Sequence, residues 1–536
     1  MSDKSSVLNK QLNNCSREEL LIVCQALQQQ LKENHELMEN MLEQIRLSQH
    51  QRYGTSSEKS KYEDGYEQIY FTFNEAELIA NLDTKEPEYE EITVNKHRRK
   101  KQKGKRESDL SGFPVIKIEH KLSEEEQQCK KCTGILHDIS TETYKLLKFI
   151  PAHFEVEEHH VGVYSCRDCE DVVRAPRPQT LLRGSIATPS LVAGIMNAKY
   201  ANALPLNRQS EDFMRYGVNL SRQTMANWVI RCSEEYLSLI YNHMKTSLLS
   251  NDVIMVDETR VQVLKEEGRK ATTESWMWVY RTGNLSNSKT IILFEYQKTR
   301  GGYHPKEFLC GFKGFLTADG YSVYHGLPPD IVVTGCWAHT KRKFNDCLKG
   351  LDPGSQKGTL ANEALIRIGL LYNIEKMLAD KTPEERREGR LKQSKPIIDA
   401  FFEWVETVSL GVVGNSLIEK AFNYAKNQKS YLYNYLKDGR ISIDNNATER
   451  AIRPFSIGRG NWLFCDTPAG AESSAIVYSI VETAKANGLR PYDYLLYLLE
   501  EIPKKYWGTD HSFLEELLPW SDKIPTSCKS QKPSQV

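Results

Sequence analysis

The chain reads as a multidomain α+β protein in which helical and thiol-bearing modules precede a small mixed sheet. Three observations predict that class. The 536 residues exceed what one hydrophobic core ordinarily organises. The first fifty residues carry a helical heptad seam, whereas from Asp252 the texture breaks into short apolar, β-branched runs separated by turns. A long helical stretch, roughly 345–437, then separates those runs from further helices near the end.

The elements follow in order. Residues 1–52 form a leucine-zipper-like helix opened by the capping box Ser16-Arg17-Glu18-Glu19. Leu20, Leu27, Asn34 and Met41 alternate with Cys24, Leu31, Met38 and Ile45 at four-three spacing, which predicts a coiled coil and hence a homo-oligomer. Packing of an amphipathic helix on its own protein is the plainer alternative. Residues 53–112 form a linker, acid-rich over 63–91 and almost continuously basic over 96–106. The basic run is either a solvated spacer or a phosphate-binding arm.

Residues 113–184 contain Cys129-x2-Cys132 and Cys166-x2-Cys169, two close thiol pairs that suit a structural, tetrahedral Zn²⁺ in a zinc ribbon. The alternating run 154–164 between them predicts a strand. Residues 185–245 contain a helix-turn-helix. Leu206–Tyr216 is its first helix, Gly217-Val218-Asn219-Leu220 the turn, and Ser221 the cap of a second helix bearing Arg222, Gln223 and Asn227. An ordinary helical hairpin has the same pattern. Trp228 is expected in its core.

Residues 246–344 supply the strands Val253–Asp257, Trp276–Tyr280, Thr290–Tyr296, Phe315–Asp319 and Ile331–Thr334, then a basic helix opening at Cys336. Three strands of meander type, a helix and further strands make a mixed sheet of the ribonuclease H kind. Residues 345–440 are a helical insertion into it and 441–505 its second part, with helices over 473–487 and 491–501. Residues 506–536 form a tail, expected to be disordered after Trp520.

Three carboxylates stand out within this frame. Asp257 and Asp319 each end an apolar strand, and Glu449 lies in DNNATERAIR, which reads as a capped helix start. Acids at two strand tips and one on a later helix can hold a pair of Mg²⁺ ions, which take oxygen ligands. Such a pair, about 4 Å apart, clamps the attacking and leaving oxygens of an in-line phosphoryl transfer. The plainer reading makes each acid a turn residue or helix cap. Asp252 and Glu258 compete with Asp257, although Glu258 should face the other side of the strand. Glu449 and Arg453 at i, i+4 could also be a surface ion pair. His339, at the start of the basic helix, is either structural or close to the reacting phosphate.

Charge gives no global sign of a polyanionic partner, because 71 basic residues balance 71 acidic ones. Neither a long apolar stretch nor a signal peptide is present, which predicts a cytoplasmic protein without a membrane partner.

These segments together resemble the bacterial transposases of the insertion sequence 66 family. The resemblance rests on RYGTSSEK, FNEAE, the paired CxxC, KYANALPLNRQSE, LSRQTMANWV, VDET, TADGY, CWAHTKRKF, DNNATERAIRP, GRGNWLF and ELLPW, in that order. It implies a DDE-type transposase with Asp257, Asp319 and Glu449 as its metal-binding acids. It also implies a zinc-binding domain, recognition of the transposon's terminal repeats by the helix-turn-helix, and a nucleoid-associated enzyme when on DNA. Small accessory transposition proteins often accompany the family. The chain departs from the family at Arg260, where a proline is frequent, and at Gly460, where a lysine is. Lys341, Arg342, Arg453 and Arg459 are the expected phosphate contacts, and Arg222, Gln223 and Asn227 the expected base readers. The rival expectations are a catalytically silent DNA-binding derivative and a metal-dependent nuclease that cuts without joining.

Overall fold

The computed structural model describes Lys117 and residues 153–165, 172–176, 180–285, 289–349, 351, 353–412, 414, 416–505 and 511–530. The expected coiled coil, the linker with its basic run, and Cys129, Cys132, Cys166 and Cys169 lie outside these residues.

Of the predicted strand over 154–164, only β1 (Val163–Ser165) forms, paired antiparallel with β2 (Val172–Arg174). Residues 153–162 are irregular and mostly exposed. Alternation alone does not make a strand where no described neighbour supplies a ladder.

Four helices follow: α1 (Pro189–Met196), α2 (Leu206–Arg215), α3 (Arg222–Cys232) and α4 (Ser238–Leu249). The expected helix, turn and helix are formed by α2 and α3, an arrangement that a helix-turn-helix shares with an ordinary helical hairpin. Gly217 takes φ +82° in its turn, a conformation that suits a residue without Cβ. Ser221 caps α3 by accepting from the Thr224 N–H at 3.1 Å. Trp228 is core, at 6 % exposure. These helices do not stand apart, since Met225, Trp228 and Val229 share one continuous hydrophobic core with the sheet that follows.

That sheet has five strands: β3 (Val253–Gln262), β4 (Glu274–Thr282), β5 (Ile292–Gln297), β6 (Gly314–Ala318) and β7 (Ile331–Gly335). Their order is β5-β4-β3-β6-β7, antiparallel from β5 to β3 and parallel from β3 to β7. A short helix, α5 (Tyr303–Phe308), lies between β5 and β6. β3 runs five residues past the expected end, so Asp257 sits mid-strand rather than at a tip. The reason is its long antiparallel pairing with β4, from Ile254↔Thr282 to Gln262↔Glu274.

Beyond β7, α6 (Trp337–Leu348) opens at Cys336 as expected. The helical insertion is α7 (Leu360–Met377), α8 (Pro383–Gly389), α9 (Lys395–Val408) and α10 (Leu417–Tyr433). It packs with α6 into a second core that includes Trp337 and Phe344 of α6 and Phe401, Phe402 and Phe422 of the insertion. The insertion also covers one sheet edge, where Asn434 Nδ2 donates to the β7 carbonyl of Val333 at 2.8 Å.

The chain returns to the sheet through α11 (Asn446–Trp462), α12 (Pro468–Ala486), α13 (Pro491–Lys505) and α14 (Leu514–Leu517). The other sheet edge, β5, is closed by side chains of α12. Ser479 Oγ accepts the Phe294 N–H at 2.7 Å and Thr483 Oγ1 the Ile292 N–H at 3.0 Å. Their i, i+4 spacing matches alternate backbone donors of an edge strand that would otherwise lie open.

The tail expected to be disordered after Trp520 is packed as far as Ser530. Ile524 and Cys528 are 3 % and 2 % exposed, and the Arg490 N–H donates to the Cys528 carbonyl at 2.8 Å. A few apolar side chains in a polar stretch suffice when α13 offers them a surface.

Candidate active site

Strand pairing brings the first two acids together. β3 and β6 are parallel with Met255 opposite Thr317, so two residues further on Asp257 and Asp319 fall side by side. Asp319 follows the last residue of β6, and its Oδ1 accepts the Tyr321 N–H at 2.9 Å, which turns the chain sharply. Gly320 is required there, because a Cβ would meet the Tyr424 hydroxyl at 2.6 Å.

Glu449 enters from the first turn of α11. Asn445, fully buried, fixes that helix start against the sheet. Its Nδ2 donates to the Val256 carbonyl at 2.8 Å and its Oδ1 accepts the Thr448 hydroxyl at 2.8 Å. Arg281 Nη1 adds a bond to the Ala447 carbonyl at 2.8 Å.

Electrostatics binds the three acids into one group. Burial, then the charges of Glu258, Asp319 and Glu449, push the Asp257 carboxyl well above the usual carboxylate range. Glu449 lies next to a guanidinium and an imidazole as well. Arg342 Nη2 donates to its two oxygens at 3.1 and 3.0 Å, and His339 Nε2 is 3.7 Å from Oε1. Burial, followed by Arg342, holds the His339 imidazole below its ordinary pKa, against the opposing charge of Glu449. His339 Nδ1 is buried without a hydrogen-bond partner.

Glu258 does face the other side of β3, and what it does there was not legible in the sequence. Its carboxylate is buried, takes the Arg300 Nε–H at 2.7 Å and is also bonded by Arg300 Nη2 and the Tyr324 hydroxyl. The Arg300 guanidinium stacks 3.7 Å from the Tyr321 ring centre, and the Tyr321 hydroxyl donates to the Arg300 carbonyl at 3.0 Å. The loop carrying Asp319 is thereby pinned to the residue adjoining Asp257. Asp252, the other rival, is exposed and pairs with Arg440.

The expected phosphate contacts divide. Arg342 is engaged by Glu449. Arg459 donates to Thr259 Oγ1 at 3.2 Å and to the Arg260 carbonyl, Lys341 lies 5.6 Å from the Tyr372 ring centre, and Arg453 is exposed. On α3, Arg222, Gln223 and Asn227 are all exposed. Among the described residues, no three His, Cys, Asp or Glu side chains stand close enough to hold one metal ion. The donor set nonetheless fits a hard cation. It is all oxygen, the kind of donor such an ion takes, and burial, then the neighbouring carboxylates, disfavour a bare negative charge on Asp257.

The sequence profile of the "Transposase IS66 family" matches residues 184–473, more than half of the chain and the whole of this site. The chain belongs to the IS66 family of transposases. The "IS66 C-terminal element" matches 479–520, which here runs from within α12 to just past α14. The "zinc-finger binding domain of transposase IS66" matches 126–170, a span that includes all four paired cysteines and points to zinc. The profile described as "Transposase C of IS166 homeodomain" matches 40–118. The chain is 30 % identical to the Sinorhizobium fredii protein y4qI over 508 residues, 92 % of this chain and 90 % of that one. A second protein of that organism, y4jD, is 30 % identical over 75 % of this chain and 79 % of its own. IS66 transposases, like transposases in general, cut DNA and join strands. Among the described residues, no helix of this family member is long and apolar enough to cross a membrane.

Proposed function

We propose that the chain is a DDE transposase that binds the ends of its insertion sequence, cleaves there, and joins the freed 3′-hydroxyl to target DNA. The observation that carries this reading is the placement of Asp257, Asp319 and Glu449. Two adjacent parallel strands and a buried helix start bring the three into one electrostatic group. The strand order β5-β4-β3-β6-β7, with its change from antiparallel to parallel at β3, supports a ribonuclease H-like fold for the catalytic part.

Asp257, Asp319 and Glu449 are the residues that would hold two Mg²⁺ ions. When bound, such a pair activates water or a 3′-hydroxyl for attack and stabilises the leaving oxygen. The chain's own groups do the rest. Asn445 and Arg281 fix the start of α11 and so aim Glu449, and Glu258 with Arg300 and Tyr324 fixes the Asp319 loop. Arg342 keeps Glu449 in place and neutralised until a stronger cation competes for it. Lys341, Arg453 and Arg459 would position DNA through its phosphates. Arg222, Gln223 and Asn227 would read bases from α3. The paired cysteines would hold structural zinc and the N-terminal seam would join copies of the chain.

The test is strand transfer of a labelled transposon-end duplex into plasmid DNA with Mg²⁺, comparing the parent with Asp319→Asn. Joined product from the parent alone, with equal DNA binding by both, is expected. Joining that survives Asp319→Asn would sink the assignment, and cleavage without joining would make the chain a nuclease.

A further inference from the structure

A cleft of about 570 Å³ opens along one side of α3. Thr224, Asn227, Trp228 and Arg231, at i, i+3, i+4 and i+7, form its helical wall. The facing wall is the short segment 183–186, which presents Arg183 and Ser185. That wall is built rather than loose. Leu181 and Leu182 before it and Ala187 after it are buried, and the Tyr236 hydroxyl donates to the Leu181 carbonyl at 2.8 Å. Gly184 turns the segment at φ +71°.

The lining of the cleft is mixed: Ile186, Trp228 and Ile230 give it apolar surface, and Arg183, Ser185, Thr224, Asn227 and Arg231 bring side chains that can donate hydrogen bonds to an anion. Arg231 is braced by Glu235, which accepts from its Nε at 3.1 Å and so takes one of five donors. The volume lies in the range of small-ligand sites, about 300–1,000 Å³, so a lone phosphate would leave most of it empty. When the second helix of a helix-turn-helix enters a major groove, the sugar-phosphate backbone bordering that groove runs beside it.

We propose that the cleft between residues 183–186 and α3 clamps the backbone of one DNA strand, with Arg183 and Arg231 each contacting a phosphate. Asn227 lines the cleft as well as standing among the proposed base readers, whereas Arg222 and Gln223 lie outside the lining. The inference rests on the reading of α3 as the DNA-recognition helix and adds the contact that sets its register.

The experiment measures binding of the full chain to fluorescent duplexes, one carrying the element's own end and one with that end scrambled, between 50 and 200 mM salt, the range over which phosphate contacts report as about 0.9 in slope each. Arg183→Ala and Arg231→Ala should each weaken binding to both duplexes by a similar factor. Each should flatten the plot of log affinity against log salt by about one, and the double variant by about two. Arg183→Lys, which keeps the charge, should restore most of the slope. Unchanged affinity and slope in both alanine variants, with the parent still binding DNA, would overturn the clamp and leave the transposase reading standing. Loss confined to the native end with an unchanged slope would also overturn it, because that is base reading. A parent that binds neither duplex would remove the DNA reading and the clamp together.

Discussion

Arg342 was expected on a phosphate and is found on Glu449. If Glu449 is a metal ligand as proposed, a guanidinium bonded to both its oxygens stabilises the metal-free site and has to be displaced when a cation enters. Arg342→Ala should therefore lower the Mg²⁺ concentration for half-maximal cleavage, by roughly 3- to 10-fold for a half-buried pair worth about 1 kcal/mol. A Mg²⁺ titration of end cleavage checks this, and a raised requirement would mean that Arg342 aims Glu449 more than it competes.

Glu295 on β5 gives a second residue-scale expectation, away from the site. Burial lifts its carboxyl from 4.5 to about 7 despite Lys245 nearby, and its Oε2 is buried without a hydrogen-bond partner. The folded chain thus keeps a proton that the unfolded chain releases as pH rises from 4.5 to about 7. The corresponding stability is fully present below pH 4.5 and lost as pH passes through 7. Glu295→Gln should raise thermal stability at pH 8 by about 1–3 kcal/mol and change little at pH 5. Melting curves at the two pH values decide it.

At the scale of elements, α11 matters most, because it delivers an acid from 130 residues beyond Asp319 to the same place. Its tether is Asn445, a side chain that the sequence presents only as one more capping residue. Asn445→Ala would strip the Val256 carbonyl and the Thr448 hydroxyl of their partner in a buried setting, at a cost of about 2–3 kcal/mol. The urea midpoint should fall accordingly. Cleavage should fall further than DNA affinity does, because the displaced group is Glu449 and not a DNA contact.

The strands themselves were legible at this scale. Each of the five expected apolar runs became a strand, because β-branched runs between turns have little else to form. What the runs did not disclose was pairing. Asp257 ended its apolar run yet sits mid-strand, because β4 offers partners to polar residues as readily as to apolar ones. Ser479 and Thr483, unremarkable in a helix, could not be read as caps for a sheet edge.

For the molecule as a whole, one core joins the helices before the sheet, the sheet itself and the C-terminal helices, and a second core is built mostly by the insertion. The three acids were legible because each stands at a local change of pattern. Glu258, Arg300 and the cleft beside α3 were not, because their meaning lies in contacts between segments far apart in sequence. The packed tail belongs to the first core, so ending the chain at Trp520 should lower the melting temperature by about 5 °C through loss of Ile524 and Cys528. A shift near zero would mean that α13 keeps its surface covered in another way.

The insertion between β7 and α11 also has a consequence in time. A ribosome adding about 5–20 residues per second exposes Asp257 and Asp319 on the order of 10 s before Glu449. Throughout that interval the nascent chain also lacks α12 and α13, which share one core with α3 and the sheet. On the reading proposed above, DNA binding and cutting would both await those last helices. A message broken anywhere within the insertion would then release a product whose first core is left open.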